Sequence, residues 1–207
     1  MNNKLRILIA DDHAIVRKGL VALLESDGSV GVVAEADDGA AALTLMAKVR
    51  PDVVVMDILM PVKDGISATR EIKERFPATK VLVLTTSTVS DDLAAALAAG
   101  ADGAITKATA VDTLLAAVKS VAAGARVVSP EISKLIANDP PAQELTSRQR
   151  EVLAAMACGK SNKEIAEELG IAPDSVGQHV MAIRAKLGAA NRTEAVAIAL
   201  RKQLLKH

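Results

Sequence analysis

The sequence predicts an α/β domain with a flavodoxin-like, doubly wound, five-stranded parallel sheet of order 2-1-3-4-5, followed by a smaller all-α domain of four helices. Three observations carry this. Short apolar runs alternate with amphipathic stretches through the first 123 residues, the pattern of a parallel sheet covered on both faces. Pro and Gly break the periodicity between 124 and 144. Beyond 145 only helical patterns remain, set off by capping residues and glycines.

The strands are read at 4–10, 30–35, 52–57, 80–85 and 102–106, with helices at 14–26, 39–48, 65–75, 91–99 and 111–123. The third strand is the clearest. Val53-Val54-Val55-Met56 follows Pro51-Asp52 and is closed by Pro61 and the Asp64-Gly65 turn, as a buried central strand requires. Right-handed crossovers then give the 2-1-3-4-5 order. Segment 124–144, with Ser129-Pro130 and Asn138-Asp139-Pro140-Pro141, reads as a linker holding at most a short helix around 130–137. The last four helices fall near 146–157, 161–169, 173–187 and 191–206. Thr146 and Ser161 are their N-caps, and Gly159 and Gly170 mark helix ends. The expected domains are therefore 1–123 and 145–207, joined by 124–144.

Composition narrows the function. The chain is neutral overall, but residues 1–144 hold 15 Lys and Arg against 19 Asp and Glu, and residues 145–207 hold 10 against 6. An acidic domain joined to a module that meets a polyanion fits this balance, although a surplus of that size is common on ordinary surfaces. The single cysteine, Cys158, excludes an intrachain disulfide and suits a reducing cytoplasm; its alanine neighbours predict a buried thiol. No run approaches the ~18 apolar residues of a membrane span, and no signal-peptide pattern opens the chain, so a soluble cytoplasmic protein without a membrane partner is expected. Phe76 is the only aromatic residue, which argues against stacking of bases or sugars on rings.

Polar residues end several strands of the first domain. Asp11 and Asp12 follow the first, Asp57 the third, Thr85 ends the fourth, and Lys107 follows the fifth. In this topology all of these ends lie on one rim, where open α/β sheets place ligands and chemistry. Three carboxylates together repel one another and call for a hard divalent cation, Mg2+ or Ca2+. A carboxylate nucleophile, a Mg2+, a hydroxyl and a lysine suffice for phosphoryl transfer to Asp57. Taken singly, an Asp after a strand is usually a turn residue and a lone Lys a solvated charge. Their joint placement is what argues for a site.

These residues resemble the receiver domain of two-component response regulators. The matches are Ala10-Asp11-Asp12-His13, the block from Asp57 through Met60-Pro61 to Asp64-Gly65, Thr85, and Lys107 22 positions further on. The resemblance implies that a sensor histidine kinase phosphorylates Asp57. It also implies that Asp12, Asp57 and the Leu59 carbonyl hold Mg2+, with Asp11 acting mostly through water. One departure stands out: three residues before Lys107 the family usually carries Tyr or Phe, and this chain has Ala104. Phosphorylation is then expected to reorder only Thr85, the 86–92 loop and the fourth helix, with Ala104→Tyr restoring part of the missing switch.

In the second domain, Ile165, Ala166 and Leu169 form one apolar helix face, Gly170 permits a turn, and Pro173 starts the next helix. That helix buries Val176, Val180, Ile183 and Leu187 and presents Asp174, Gln178, Met181 and Arg184. A recognition helix needs this division, but a protein-interaction bundle is also compatible with it. The blocks Leu145-Thr146-Ser147-Arg148, Lys160-Ser161-Asn162-Lys163-Glu164-Ile165-Ala166, Val176-Gly177-Gln178-His179-Val180 and Asn191-Arg192-Thr193-Glu194-Ala195-Val196 closely resemble the LuxR-type helix-turn-helix. With the receiver in front, the chain is similar to NarL/FixJ-type response regulators. That similarity implies double-stranded DNA as ligand, contact with RNA polymerase, and a homodimer when active. It places Lys160, Asn162, Lys163 and His179 on phosphates, Gln178 and Met181 on bases with Arg184 beside them, and the dimer surface at Ala195, Val196 and Ala199 of the last helix. Two departures remain. Gln149 replaces a usual Glu, removing a charge that supports the first helix, and Gly177 replaces a usual Lys or Arg at a helical cost of about 1 kcal/mol relative to Ala. The rival reading is a Mg-dependent aspartyl-phosphate hydrolase fused to a protein-interaction helical bundle. Such enzymes place an acid/base Asp two residues after the nucleophile, where this chain has Leu59.

Overall fold

The computed structural model describes residues 4–86, 89–109, 111–139, 145–202 and 204–205. The chain folds as two compact units, Met1–Pro140 and Pro141–His207.

In the first unit the strands are β1 (Leu5–Ala10), β2 (Val30–Ala36), β3 (Val53–Met56), β4 (Lys80–Thr85), β5 (Gly103–Thr106) and β6 (Val127–Val128). They form one parallel sheet of order β2-β1-β3-β4-β5-β6. Side-chain alternation splits the core into two layers, as the pleat requires. Leu8, Val54, Met56, Val81, Val83 and Ala104 pack with α2 (Gly39–Val49), α3 (Gly65–Arg75), α4 (Ser90–Ala98) and α6 (Pro130–Asn138). Ile7, Ile9, Val53, Val55, Leu82, Leu84 and Ile105 pack with α1 (Ala14–Glu25) and α5 (Val111–Ala122). Register aligns the strand ends: Ala10 lies opposite Met56, Met56 opposite Val83, and Thr85 opposite Thr106.

The sheet has six strands where five were expected, and the sixth comes from the segment read as a linker. The Val127 amide donates to the Asp102 carbonyl at 3.1 Å and the Ser129 amide to the Ala104 carbonyl at 3.0 Å. Gly103 makes this pairing feasible, because a Cβ there would stand 2.6 Å from the Val127 carbonyl oxygen. Ser129 then caps α6, accepting from the Ile132 amide, with Pro130 at the first helical position. Ile132 is fully buried in the layer that holds Leu93 and Ala96 of α4 and Ala104 of β5, and Leu135 and Ile136 pack against it. The Ser90 hydroxyl donates to the Asp139 carboxylate at 2.9 Å. The reason is hydrophobic: 132, 135 and 136 line one helix face, which leaves water by docking on α4. Residues 127–139 therefore belong to the first unit rather than to a linker, and 140–144 lie outside the described residues.

The second unit contains α7 (Ser147–Ala157), α8 (Asn162–Leu169), α9 (Pro173–Leu187) and α10 (Arg192–Arg201) around Val152, Leu153, Ile165, Val176, Ile183, Ala195 and Ala199. Both expected N-caps form capping boxes, Thr146 with Gln149 and Ser161 with Glu164. Gln149 thus supports α7 without a charge: its Oε1 accepts from the Thr146 amide and from Lys186 Nζ, each at 3.0 Å. Cys158 is exposed at the end of α7, contrary to the buried thiol its alanine neighbours suggested.

Two outcomes follow. Ala104 is not a vacancy awaiting a ring, because α4 and α6 close over that layer. Ala104→Tyr should therefore overpack it, costing about 1–3 kcal/mol in chemical denaturation and loosening α6 in hydrogen exchange, rather than restoring a switch. Asp102 ties β4 to β5, accepting from the Val81 amide at 2.9 Å, Lys73 Nζ at 2.9 Å and Lys80 Nζ at 3.2 Å. Burial pushes its carboxyl upward, but these donors outweigh it and hold the group below the usual carboxylate range. A depressed carboxylate stabilises the fold above its unfolded pKa, and the gain is lost as pH falls through the folded value. Asp102→Asn should cost about 1.5 kcal/mol at pH 7 and shrink the stability lost between neutral and strongly acid pH, both read from denaturation midpoints.

Candidate functional site

Asp57 stands one residue beyond β3, its amide donating to the Ala10 carbonyl at 2.9 Å and so fixed beside the end of β1. Lys107 stands one residue beyond β5, its amide donating to the Thr85 carbonyl at 2.9 Å. The two side chains meet at the rim. Lys107 Nζ lies 2.6 Å from Asp57 Oδ2 and 2.5 Å from Asp11 Oδ2. Asp57 Oδ1 accepts from the Ile58 amide at 2.7 Å, and Asp11 Oδ1 from the His13 amide at 2.8 Å. Asp11 and Asp57 are both buried. Thr85, also fully buried, is the last residue of β4.

Burial shapes the electrostatics. It pushes the Asp57 carboxyl above the usual range, only partly offset by the Lys107 ammonium. Burial alone would lower Lys107, but hydrogen bonds to Asp11 and Asp57 outweigh it and hold the ammonium above its ordinary value. The lysine is therefore charged at any physiological pH and neutralises part of the carboxylate cluster.

The loop after Asp57 is wound tightly. A Cβ at Gly65 would lie 1.9 Å from the Asp57 carbonyl oxygen, and the Gly65 amide donates to the Ile58 carbonyl at 2.9 Å. Val62 takes φ 63°, a left-handed conformation costly for a β-branched residue. Leu59 sits within this loop, half-exposed.

Ligand atoms of Asp11, Asp12, His13 and Asp57 all fall within 4.8 Å of one another. Three carboxylates, one of them exposed, offer the hard oxygen donors that a divalent cation needs, so the donor set fits Mg2+. Sequence reasoning assigned no role to His13, whose Nδ1 lies 2.6 Å from Asp12 Oδ1. Nor did it find Arg17, which donates to the Asp11 carbonyl at 2.6 Å from the second turn of α1. An arginine facing a strand end from the following helix is the only signal that could have shown it.

In the second unit the expected DNA-contacting residues divide. Lys163, Gln178 and Met181 are exposed, and Met181 is 70% exposed. His179 is half-buried. Lys160 pairs with Glu168 at 2.7 Å, which holds its ammonium above the usual value. Arg192, unassigned from sequence, donates to Asn162 Oδ1 at 2.9 Å and to the Lys160 carbonyl, locking the start of α8 to α10. Arg184 is half-buried and donates to the Ala190 carbonyl beyond the end of α9, not to the open face. The dimer surface read at Ala195, Val196 and Ala199 is corrected outright. Ala195 and Ala199 are fully buried in this unit's own core and Val196 packs against it. Small residues at helical spacing here admit α7 and α9, while Thr193, Ala197 and Leu200 remain exposed.

Residues 7–119 match the response regulator receiver domain, and residues 143–199 match the bacterial regulatory proteins of the luxR family. The chain is 39% identical to a probable transcriptional regulatory protein NarL of Mycobacterium tuberculosis, covering 98% of this chain and 96% of that one. It is 35% identical to the transcriptional regulatory protein LiaR of Bacillus subtilis, with 97% and 99% covered. Among solved structures it is similar to the response regulator ChrA of a heme-sensing two-component system, at 38% identity and TM-score 0.60 over 98% and 99% of the two chains. It is also similar to RcsB from Salmonella enterica bound to promoter DNA with the phosphomimetic BeF3-, at 29% identity and TM-score 0.71 over 96% and 99%. The chain belongs to the two-component response regulators that join a receiver domain to a LuxR-type helix-turn-helix.

Proposed function

We propose that a sensor histidine kinase phosphorylates this chain on Asp57, and that the phosphorylated form dimerises, binds double-stranded DNA and controls transcription. One observation carries the first half: Asp57 and Asp11 share the Lys107 ammonium at a rim where β4 also ends in buried Thr85. In the transfer, a carboxylate oxygen of Asp57 bonds to the phosphorus of a phosphohistidine. The P–N bond breaks, and its electron pair leaves on the imidazole, which takes up a proton. Lys107 holds Asp57 in place beforehand and then meets the phosphoryl oxygens, one of which the Thr85 hydroxyl receives. Asp12, Asp57 and the Leu59 carbonyl would hold Mg2+, with Asp11 assisting through water. The ion supplies charge neutralisation for the incoming phosphoryl group. Self-catalysed transfer belongs to this reading too: Asp57 can attack the phosphorus of a small donor such as acetyl phosphate, releasing acetate, and water attacking the aspartyl phosphate then returns the carboxylate and inorganic phosphate.

The DNA half rests on the exposed face of α9 and on RcsB, a relative solved with promoter DNA. Lys163 is exposed for a phosphate, and the uncovered side of α10 at Thr193, Ala197 and Leu200 is the surface offered to a second copy. RNA polymerase is a further partner if the bound dimer activates transcription. No helix among the described residues is long and apolar enough to cross a membrane.

Incubation with Mg2+ and acetyl phosphate should add one phosphoryl group by intact mass, and Asp57→Asn should abolish it; labelling that survives the substitution sinks the assignment. Asp12→Ala should slow labelling while leaving the thermal transition in place. Binding of the full chain to duplex DNA should weaken steeply with salt, with log Kobs linear in log salt concentration. Lys163→Ala should reduce that slope by about one unit. Association indifferent to salt would instead favour a protein ligand for the helical unit.

A further inference from the structure

The surface of α9 carries an inference about which DNA it selects, resting on the reading that this unit binds duplex DNA. From Asp174 to Met181 the helix carries no lysine or arginine. The two cations further along are engaged: Arg184 on the Ala190 carbonyl, Lys186 on Gln149 Oε1 at 3.0 Å. Guanine is read in the major groove by Arg or Lys donating to O6 and N7. This face presents neither, and Asp174, exposed in the first turn, is the one group on it that could meet a C·G pair, by accepting from cytosine N4.

Apart from Asp174, what it presents is uncharged. Gln178 is exposed, and its amide has the donor and acceptor that match adenine N6 and N7. Met181, one turn on, is 70% exposed, while Val176, Ile183 and Leu187 of the same helix are buried in the core. An exposed apolar side chain on this face is matched in a major groove by the thymine C5-methyl, the apolar group that groove offers. Gly177 precedes Gln178 in the same turn. A Cβ there would meet nothing within 4 Å, so no packing inside the protein asks for glycine at a position where it costs helix stability. Its use lies outside the fold, in letting the backbone lie closer to the groove than a side chain would permit.

We infer that α9 selects half-sites rich in A·T pairs, reading adenine with Gln178 and the thymine methyl with Met181, at a backbone approach opened by Gly177. The absence of lysine and arginine on this face places selectivity on an amide hydrogen-bond pair, backbone approach and methyl contact rather than on charge.

Selection of full-length, phosphomimic-treated protein against a randomised duplex pool supplies the target sequence. Two base analogues then dissect it: deoxyuridine for thymidine removes only the C5-methyl, and 7-deazaadenine for adenine removes only N7. Selected half-sites should be A·T-rich, and uracil at one position should weaken binding about tenfold. Met181→Ala should bind the parent and uracil duplexes equally. Gln178→Ala should lose the 7-deazaadenine effect, and Gly177→Ala should weaken binding to the selected site. These positions are exposed or open, so circular dichroism should report native helix content in every variant. Half-sites centred on G·C pairs, or equal affinity of the native protein for thymine and uracil duplexes, overturn the inference while leaving DNA binding intact. Failure to retain any duplex even at low salt overturns the DNA-binding reading itself.

Discussion

Two carboxylates buried at the end of a parallel sheet are stable only if a cation is delivered to them, and here the cation is Lys107. Asp11 and Asp57 follow neighbouring strands, β1 and β3, so their mutual approach is fixed by the ladder that sets Ala10 against Met56. Lys107 arrives from β5 with β4 between, and its long stem spans the gap. A buried carboxylate without a partner is costly, because burial disfavours the charged form. The ammonium, 2.5 Å from Asp11 and 2.6 Å from Asp57, offsets part of their charge where the strand ends meet. The parallel topology and the register thus matter chiefly for what they bring to one rim. Glycine at 65 lets the tight turn pass over Asp57, since any side chain there would collide with the Asp57 backbone.

At the β5 edge the chain solves a second problem with its own sequence. β5 is only four residues long and lies at the end of the five-strand order, where an uncovered edge invites another chain. Val127 and Val128 pair with it, and α6 then turns back onto α4. Ala104 and Gly103 are small because this return strand and helix need the room. An absent aromatic at 104 therefore belongs with the presence of Ile132, not with a missing part.

Much of this was legible in the sequence where the signal is local. β1, β3 and β4 are apolar runs, and the residues that end or follow them declare the rim because strand ends in such a sheet share one edge. Thr146, Ser161 and Gly170 declare helix ends through backbone chemistry within a few residues. The rest depends on approach across the fold. Two residues of β6 carry no periodicity, so 124–144 reads as a linker until the Val127 amide is seen to donate to the Asp102 carbonyl beside β5. Arg192 reaching Asn162 and Arg184 reaching Ala190 depend on where α10 and its preceding turn lie. Ala195 and Ala199 show the limit most plainly. Small residues every fourth position let a helix approach another closely, but they do not say whether that other helix is in the same subunit.

The docking of α6 through Ile132 also bears on where the first unit ends. α6 ends at Asn138, Asp139 binds Ser90 at the start of α4, and the second unit begins at Pro141. The receiver's packed structure therefore runs almost to the first residue of the DNA-binding unit, instead of releasing the chain at 123. α4 begins five residues after Thr85 and packs directly on α6. A shift of Thr85 toward a phosphoryl group on Asp57 that moved α4 would act on the contact that anchors the tether. Leu93, Ala96 and Ile132 join α4 to α6 in one apolar layer. Apolar layers pack in discrete arrangements rather than deforming smoothly, so such a coupling would be a repacking of α6 and not a graded bend.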